Sequence, residues 1–286
     1  MKRGISRRLF LLGAAAAGVS PALAAEGNAQ TGGASESGGR LRIAHLTDPQ
    51  FGFGTVEKGA EANYIADLAR FERAIASVNA LKPDLALITG DMTNRAEEVV
   101  RDWPRLLKRF TVPVAVAPGN HDMGNAMTRE NRERYLSVFG WDYKAFDVKG
   151  WRVIVGNTQF WRKTELVDEL ARYEAWLKEE LERAKGYGGR VLIAGHIPPF
   201  ADAPGEKDSY ENYPQAGRTQ RMKAYLEAGA KFFLAGHTHR MIMHGWRDLT
   251  ILNAETTSNN FDSRPYGFRL FDIAGECDYT YTFVRV

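Results

Sequence analysis

The sequence predicts an α/β domain, folded as a two-sheet α/β/β/α sandwich over residues 41–286. Three observations carry this expectation. Short apolar runs alternate with helical patterns through the first half, the tail reads as antiparallel hairpins, and a polar cluster follows many of the apolar runs at once. The first two imply parallel strands with helices outside and an antiparallel addition. The third places polar groups at strand ends, where open α/β sheets form their crevice.

The first strand covers Leu41–Leu46, followed by a helix over Ala62–Asn79, a strand over Leu85–Thr89, a helix over Ala96–Arg109 and a strand over Val112–Ala117. This βαβαβ order makes neighbouring parallel strands. A strand over Trp151–Asn157 precedes a helix over Glu165–Ala184, where Leu170, Tyr173, Leu177 and Leu181 fall on one face at helical spacing. Two more strands, Val191–Ala194 and Lys231–Ala235, lead into hairpins from Met241 to Val286. With 286 residues, 44% of them hydrophobic, one domain of this kind can bury a full core.

Residues 1–24 carry a charged start, an apolar stretch from Leu9 to Val19 and the small-residue end Ala22-Leu23-Ala24, the pattern of an export signal cleaved after Ala24. The pair Arg7-Arg8 makes it a twin-arginine signal, a route that moves proteins already folded. The apolar stretch is too short for a stable membrane span. Ala25–Arg40, rich in Gly, Ser, Ala and Glu, reads as a flexible linker. Losing residues 1–24 removes four basic residues and no acid, taking the formal charge from +3 to −1. The mature chain then has no basic run of the kind nucleic acid requires. The single cysteine, Cys277, permits no internal disulfide.

The polar clusters are Thr47-Asp48-Pro49-Gln50, Gly90-Asp91, Gly119-Asn120-His121-Asp122, Gly195-His196 and Gly236-His237-Thr238-His239. Two carboxylates, an asparagine amide and three imidazoles suit borderline divalent metals such as Mn, Fe or Zn. Glycine before each of four clusters lets the backbone turn sharply toward an ion. Singly, such an Asp or His caps a turn; five ordered clusters point to a metal site.

In order and spacing these motifs resemble the calcineurin-like metallophosphoesterase superfamily, from Leu41 to the C-terminus. Within it, Thr47–Gly52, Gly119–Asn125, Asn157–Phe160 and His196–Phe200 look like the branch of calcineurin-like phosphoesterase-domain-containing serine/threonine phosphatases. The resemblance implies one metal on Asp48, Gln50, Asp91 and His239, and a second on Asp91, Asn120, His196 and His237. Asp91 then bridges two divalent ions (Mn, Fe, Zn or Mg) about 3.5–4 Å apart, which share a hydroxide that attacks phosphorus. His121 is the implied acid for the leaving oxygen, with Asp122 or a nearby carbonyl orienting its ring.

Two departures bear on this. Most members carry Asp-x-His where this chain has Asp48-x-Gln50, which weakens the first metal position and favours an Mn or Mg pair, and Gln50 also reads as a residue that does not ligate. The phosphoprotein phosphatases place an Asp where this chain has Asn94, so the aid of a carboxylate to His121 is missing.

Outside the clusters, His45 reads as packing beneath the site, His244 as a surface or structural residue, and Arg218 and Arg264 as surface charge. Trp161, Phe160, Tyr210, Tyr213 and Tyr266 fit a cleft wall and the core equally. The insert between His196 and Phe232, with Asp202, Glu206 and Asp208, is expected to set the substrate and to disfavour highly anionic ones. The function expected is an exported hydrolase of phosphate monoesters, acting on a small phosphorylated substrate or a phosphoprotein. A phosphodiesterase and a non-catalytic metal- or phosphate-binding protein are the alternatives.

Overall fold

The computed structural model describes residues 39–53, 59–274 and 278–286; the expected signal, most of the linker and Cys277 lie outside them. Among the described residues no helix is long and apolar enough to cross a membrane.

The first sheet is built from β1 (Leu41–Leu46), β2 (Leu85–Thr89), β3 (Val114–Ala117), β10 (Gly267–Ile273) and β11 (Tyr279–Arg285), in the order β11-β10-β1-β2-β3. The second holds β4 (Lys144–Val148), β5 (Trp151–Val155), β6 (Val191–Ala194), β7 (Ala230–Ala235), β8 (Ile242–Trp246) and β9 (Leu249–Asn253), in the order β4-β5-β6-β7-β9-β8. β1, β2 and β3 run parallel, as do β5, β6, β7 and β9. The expected two-sheet sandwich is present. Its tail hairpins divide between the sheets, β8–β9 in one and β10–β11 in the other.

Side-chain alternation explains how the layers assemble. Leu41, Ile43, Leu85 and Leu87 meet Val153, Leu192, Phe232 and Leu234 between the sheets. The intervening Ala44, Leu46, Ala86 and Ile88 face the helical layer instead. There α1 (Ala60–Leu81) buries Tyr64, Phe71, Ala74, Ile75 and Val78, a stripe at helical spacing. Its neighbour α2 (Val99–Leu107) buries Val99, Trp103 and Leu106. Beyond the short α3 (Asn120–Met123), α4 (Arg129–Phe139) starts from Thr128, whose side chain accepts the Asn131 amide, and stops at Gly140. On the other face lie α5 (Val167–Ala184) and α6 (Gln215–Glu227), with Tyr225 of α6 beside Phe233 of β7.

Neither α4 nor α6 was anticipated. The reason is the same for both: α4 buries only Tyr135 and Phe139 among charged neighbours, and α6 buries Arg218 with Met222 and Tyr225, so no apolar stripe marks them.

Two tethers aim the loop after β1. Phe51 is fully buried, stacked on Trp103 at 5.7 Å and edge-on to Tyr64 at 5.6 Å. Asp67 of α1, also buried, accepts the Gly52 amide at 2.9 Å and pairs with Arg70. The first tether predicts that Phe51→Ala costs about 3–5 kcal/mol in urea unfolding and weakens divalent-ion uptake, because Gln50 adjoins the residue removed. Unchanged unfolding would show that the loop is anchored elsewhere.

Candidate metal centre

All five clusters meet on one edge of the sandwich. Asp48, Asp91 and Asn120 follow β1, β2 and β3 of one sheet, while His196, His237 and His239 follow β6 and β7 of the other. The carboxyl ends of parallel strands from both sheets therefore face each other across one crevice.

Two groups of donor atoms form there, each within 4.8 Å: Asp91, His196 and His237, and Asp48, Asp91 and His239. Asp91 is common to both. His196 Nε2 lies 3.3 Å from Asp91 Oδ2, 3.0 Å from Asn120 Oδ1 and 3.1 Å from His237 Nδ1. His239 Nε2 lies 3.4 Å from Asp48 Oδ1.

Each imidazole is locked by a backbone carbonyl on its other nitrogen. His196 Nδ1 donates to Thr89 O at 2.7 Å, His237 Nε2 to Tyr210 O at 2.6 Å, and His239 Nδ1 to Asn259 O at 2.6 Å. A ring that spends its N–H on a carbonyl presents a lone pair at the opposite nitrogen, which is how metal-binding histidines are fixed. Gln50 Oε1 is buried and has no hydrogen-bond partner among the described residues. An amide oxygen left unpaired in this way costs about 1–3 kcal/mol, which a cation beside it would offset. These donors fit divalent metal.

The backbone here is strained. Asp48 (φ 45°), Gln50 (34°), Asp91 (52°), His237 (73°) and His239 (50°) are all left-handed, a region that side-chain-bearing residues avoid. The glycines act differently from the expectation of sharp turns. Of the four preceding the ligands, only Gly90 has a positive φ, at 97°. Gly119 and Gly236 are needed for space, since an added Cβ would overlap Asp91 Oδ1 in one case and Thr47 Oγ1 in the other. The ligands take the unusual conformation, and the glycines let the strand ends close on them.

Charge explains the titration of the site. Asp48 and Asp91 are buried without Lys or Arg beside them among the described residues, facing only imidazoles. Burial opposes the ionisation of both, yet the facing His239 and His196 hold their carboxyls below the usual range. Burial likewise opposes the charge on His196, but the Asp91 carboxylate carries it up to about 9. Burial and the adjacent His196 push His237 down to about 3. Without an ion, second protons on His196 and His239 supply the positive charge that the two carboxylates demand, and an ion takes their place at the lone pairs.

The family profile described as Calcineurin-like phosphoesterase matches residues 41–241. This chain belongs to the calcineurin-like phosphoesterase family. As a member it is a metal-dependent phosphoric ester hydrolase. Serine/threonine-protein phosphatase CPPED1 of Bos taurus is 27% identical over 247 residues, spanning 80% of this chain and 79% of that protein. The probable glycerophosphodiester phosphodiesterase GpdQ of Arcobacter nitrofigilis is 27% identical over 185 residues, 62% of this chain and 64% of that one. Among solved structures, a dimetal phosphatase from Danio rerio superposes with a TM-score of 0.57 at 14% identity, covering 84% of this chain and 98% of that one.

Within this family site, the ring of His121 is held through Nδ1 by the Asn94 carbonyl at 2.7 Å. Asp122 does not orient it, contrary to one of the two possibilities read from sequence. Its oxygens accept the amides of Met92 and Gly119 at 2.8 Å each, tying together the loops after β2 and β3. Burial, then the Asp91 charge, raises Asp122 to about 7. His45 packs beneath the site as expected, between Tyr281 Oη at 2.6 Å and Thr89 Oγ1 at 2.9 Å, and burial lowers it to about 3. His244 stacks on Phe200 in the β8–β9 hairpin.

Arg218 departs from the surface role expected of it. It is fully buried and donates to the carbonyls of Tyr213, Pro204 and Glu206, pinning the insert. Arg264 is half-exposed beside Glu255 and Asp262. Of the five aromatics left open, Phe160, Trp161 and Tyr213 are core, Tyr266 takes the Arg70 guanidinium, and Tyr210 reaches the site. Two acids of the insert are bonded within it. Glu206 accepts the Ala201, Asp202 and Ala203 amides, and Asp208 accepts that of Gln215, bonds to neutral donors that fix these carboxylates without cancelling their charge. Phe53, 5.1 Å from His239, and Phe261, stacked on it at 4.7 Å, add an aromatic rim that went unread although Phe53 adjoins the first motif.

A group raised on folding stabilises fully below its ordinary value and ceases to do so as pH climbs through the raised one. With His196 going from 6.5 to about 9, and His239 shifted the same way, ion-stripped protein should lose thermal stability between pH 6.5 and 9. Divalent-ion affinity should rise over the same interval, because the ion replaces those protons. Calorimetry on stripped wild type and His196→Asn checks both; an equally steep decline in the variant would mean that other groups set it.

Proposed function

We propose that this chain is an exported phosphatase that hydrolyses phosphate monoesters at a two-ion centre. The observation that carries the reading is the pair of donor groups sharing Asp91, with His121 one residue from Asn120 and its ring fixed by a main-chain carbonyl. In this assignment Asp48, Gln50, Asp91 and His239 hold one ion, and Asp91, Asn120, His196 and His237 hold the other. Bound there, two divalent ions supply Lewis acidity toward phosphoryl oxygens and a nucleophilic water at neutral pH.

The protein's own groups do the rest. The His121 amide donates to Asp91 Oδ1 at 2.8 Å, so the residue bearing the acid is tied to the shared carboxylate. Because Nδ1 keeps its proton on the Asn94 carbonyl, exchange is confined to Nε2, which hands a proton to the departing oxygen. Asn94 thus serves His121 through its main chain, and the lack of a carboxylate side chain there costs orientation nothing. Phe53, Phe261 and Tyr210 border the crevice and offer apolar contact to the leaving group.

Support for a monoester comes from the phosphatase name of the relative aligned over 80% of the chain; a diester is the second reading, favoured by the phosphodiesterase aligned over 62%. Support for export is the Arg7-Arg8 pattern and the small-residue end at Ala24. Release of nitrophenol with added Mn decides the substrate class: higher kcat/KM on p-nitrophenyl phosphate than on its bis ester is expected. The reverse preference makes the enzyme a diesterase, and ion binding without turnover makes it a binding protein. His121→Asn should lower kcat by about 10²–10⁴ with ion content unchanged.

Export has its own check, made by expressing the full chain in a bacterium with a twin-arginine translocon. Periplasmic protein of the mass left after removal of residues 1–24 is expected, as is cytoplasmic retention after Arg7→Lys with Arg8→Lys. Periplasmic recovery of that double variant would rule out this route.

A further inference from the structure

Of the crossing from β6 to α6, only His196 at its start is a ligand in the assignment above, yet a residue much further along it touches two other ligands. Tyr210 is 51% exposed, and its ring lies 4.7 Å from that of His237. Its main-chain oxygen accepts the His237 Nε2 proton at 2.6 Å and also a bond from the Arg162 guanidinium, which sits over the Tyr210 ring at 5.0 Å. At the other end of the side chain, its hydroxyl meets Asn120 Nδ2 at 2.7 Å and Asn125 Oδ1 at 3.2 Å.

These contacts decide what the ion position receives. A carboxamide presents an oxygen on one side and two N–H donors on the other, and only its partners determine which way it faces. Asn120 Nδ2 donates to Tyr210 Oη and to Asn125 Oδ1 at 3.0 Å, so Oδ1 is left on the side of His196 Nε2, 3.0 Å away. Turned over, the amide would aim N–H groups at a cation. The main-chain bond acts in parallel: with Nε2 of His237 spending its proton on Tyr210, Nδ1 carries the lone pair beside His196.

We propose that Tyr210 is a positioning residue for the second ion, its hydroxyl fixing which way the Asn120 carboxamide faces and its carbonyl fixing which nitrogen of His237 carries the lone pair. The inference rests on the two-ion reading. The internal bonds of the surrounding loop converge on Glu206, Asn212 and Arg218 rather than on the metal edge. Tyr210 is its contact with the donors, and Arg162 holds that contact from behind the second sheet's loop.

The test is Mn2+ titration of ion-stripped full-length protein, followed by calorimetry and by the electron paramagnetic resonance of the coupled manganese pair. Wild type should bind two ions. Tyr210→Phe should bind the first unchanged and the second about tenfold or more weakly, with a diminished pair signal, as expected when a group that orients a ligand is removed. Adding Asn120→Asp to that variant should restore the second ion, because a carboxylate has two oxygens and needs no orienting. Equal affinity for both ions in Tyr210→Phe, or failure of the Asn120→Asp rescue, would overturn the proposal and leave the two-ion reading standing. Uptake of fewer than two ions by wild type would overturn both.

Discussion

Two carboxylates buried without a basic side chain set the terms for the rest of this molecule. Removing a charge from water costs several kcal/mol unless opposite charge is brought with it, and Asp48 and Asp91 bring none among the described residues except imidazolium. What surrounds them is organised accordingly. Thr47 Oγ1 at 2.5 Å and the His237 amide at 3.0 Å donate to Asp48, and the His121 amide donates to Asp91. These bonds hold the oxygens in place but bring no net charge. A divalent cation does, and so the same carboxylates that would destabilise an empty fold become the reason for its affinity.

Holding five left-handed residues in a small volume adds strain of about 1–3 kcal/mol at each, which the scaffold has to absorb. It does so from both sheets. Ser258 Oγ donates to the Asp48 carbonyl at 2.9 Å, Gln50 N to Asp91 O at 2.8 Å, and Asp122 clamps the β2 and β3 loops to each other. Behind them Phe51, Trp103 and Phe71 form an aromatic wedge between the loop and α1. The catalytic edge is thus rigid on the β1–β3 side, while the β6–α6 side is a long crossing loop braced chiefly by Arg218 and Glu206. Rigidity where ions are gripped and a separately braced wall where substrates differ is an arrangement that lets one metal chemistry serve many esters.

How much of this the amino-acid order reveals depends on whether side chains or main chain do the work. The helices α1 and α5 were legible because Tyr64, Phe71, Ile75 and Val78, or Tyr173, Leu177 and Leu181, recur at helical spacing. The helix α4 was hidden by a face of only two buried aromatics, and α6 by an arginine where an apolar residue was looked for. The donors were legible because Asp, Asn and His in ordered clusters are rare. Their partners were not, since Thr89, Asn94, Tyr210 and Asn259 act through carbonyls that every residue possesses. Arg218 was misread for a related reason: a guanidinium can be buried wherever carbonyls converge to accept its protons, and no local pattern announces that convergence.

The glutamine at position 50 gains its meaning from the same charge accounting. An imidazole or an amide oxygen is neutral, so the exchange leaves the donor set with two negative charges, from Asp48 and Asp91. Two divalent ions among such donors would retain about two positive charges, and about one once a hydroxide nucleophile is counted. A phosphate monoester carries about two negative charges above its second pKa near 6 and a diester one, and either is drawn to a centre of net positive charge. What the amide changes is the strength and preference of one position: an oxygen donor suits harder ions such as Mn or Mg better than an imidazole does. On the two-ion assignment proposed above, Gln50 bears on the metal preference of the first position and not on the net charge of the donor set.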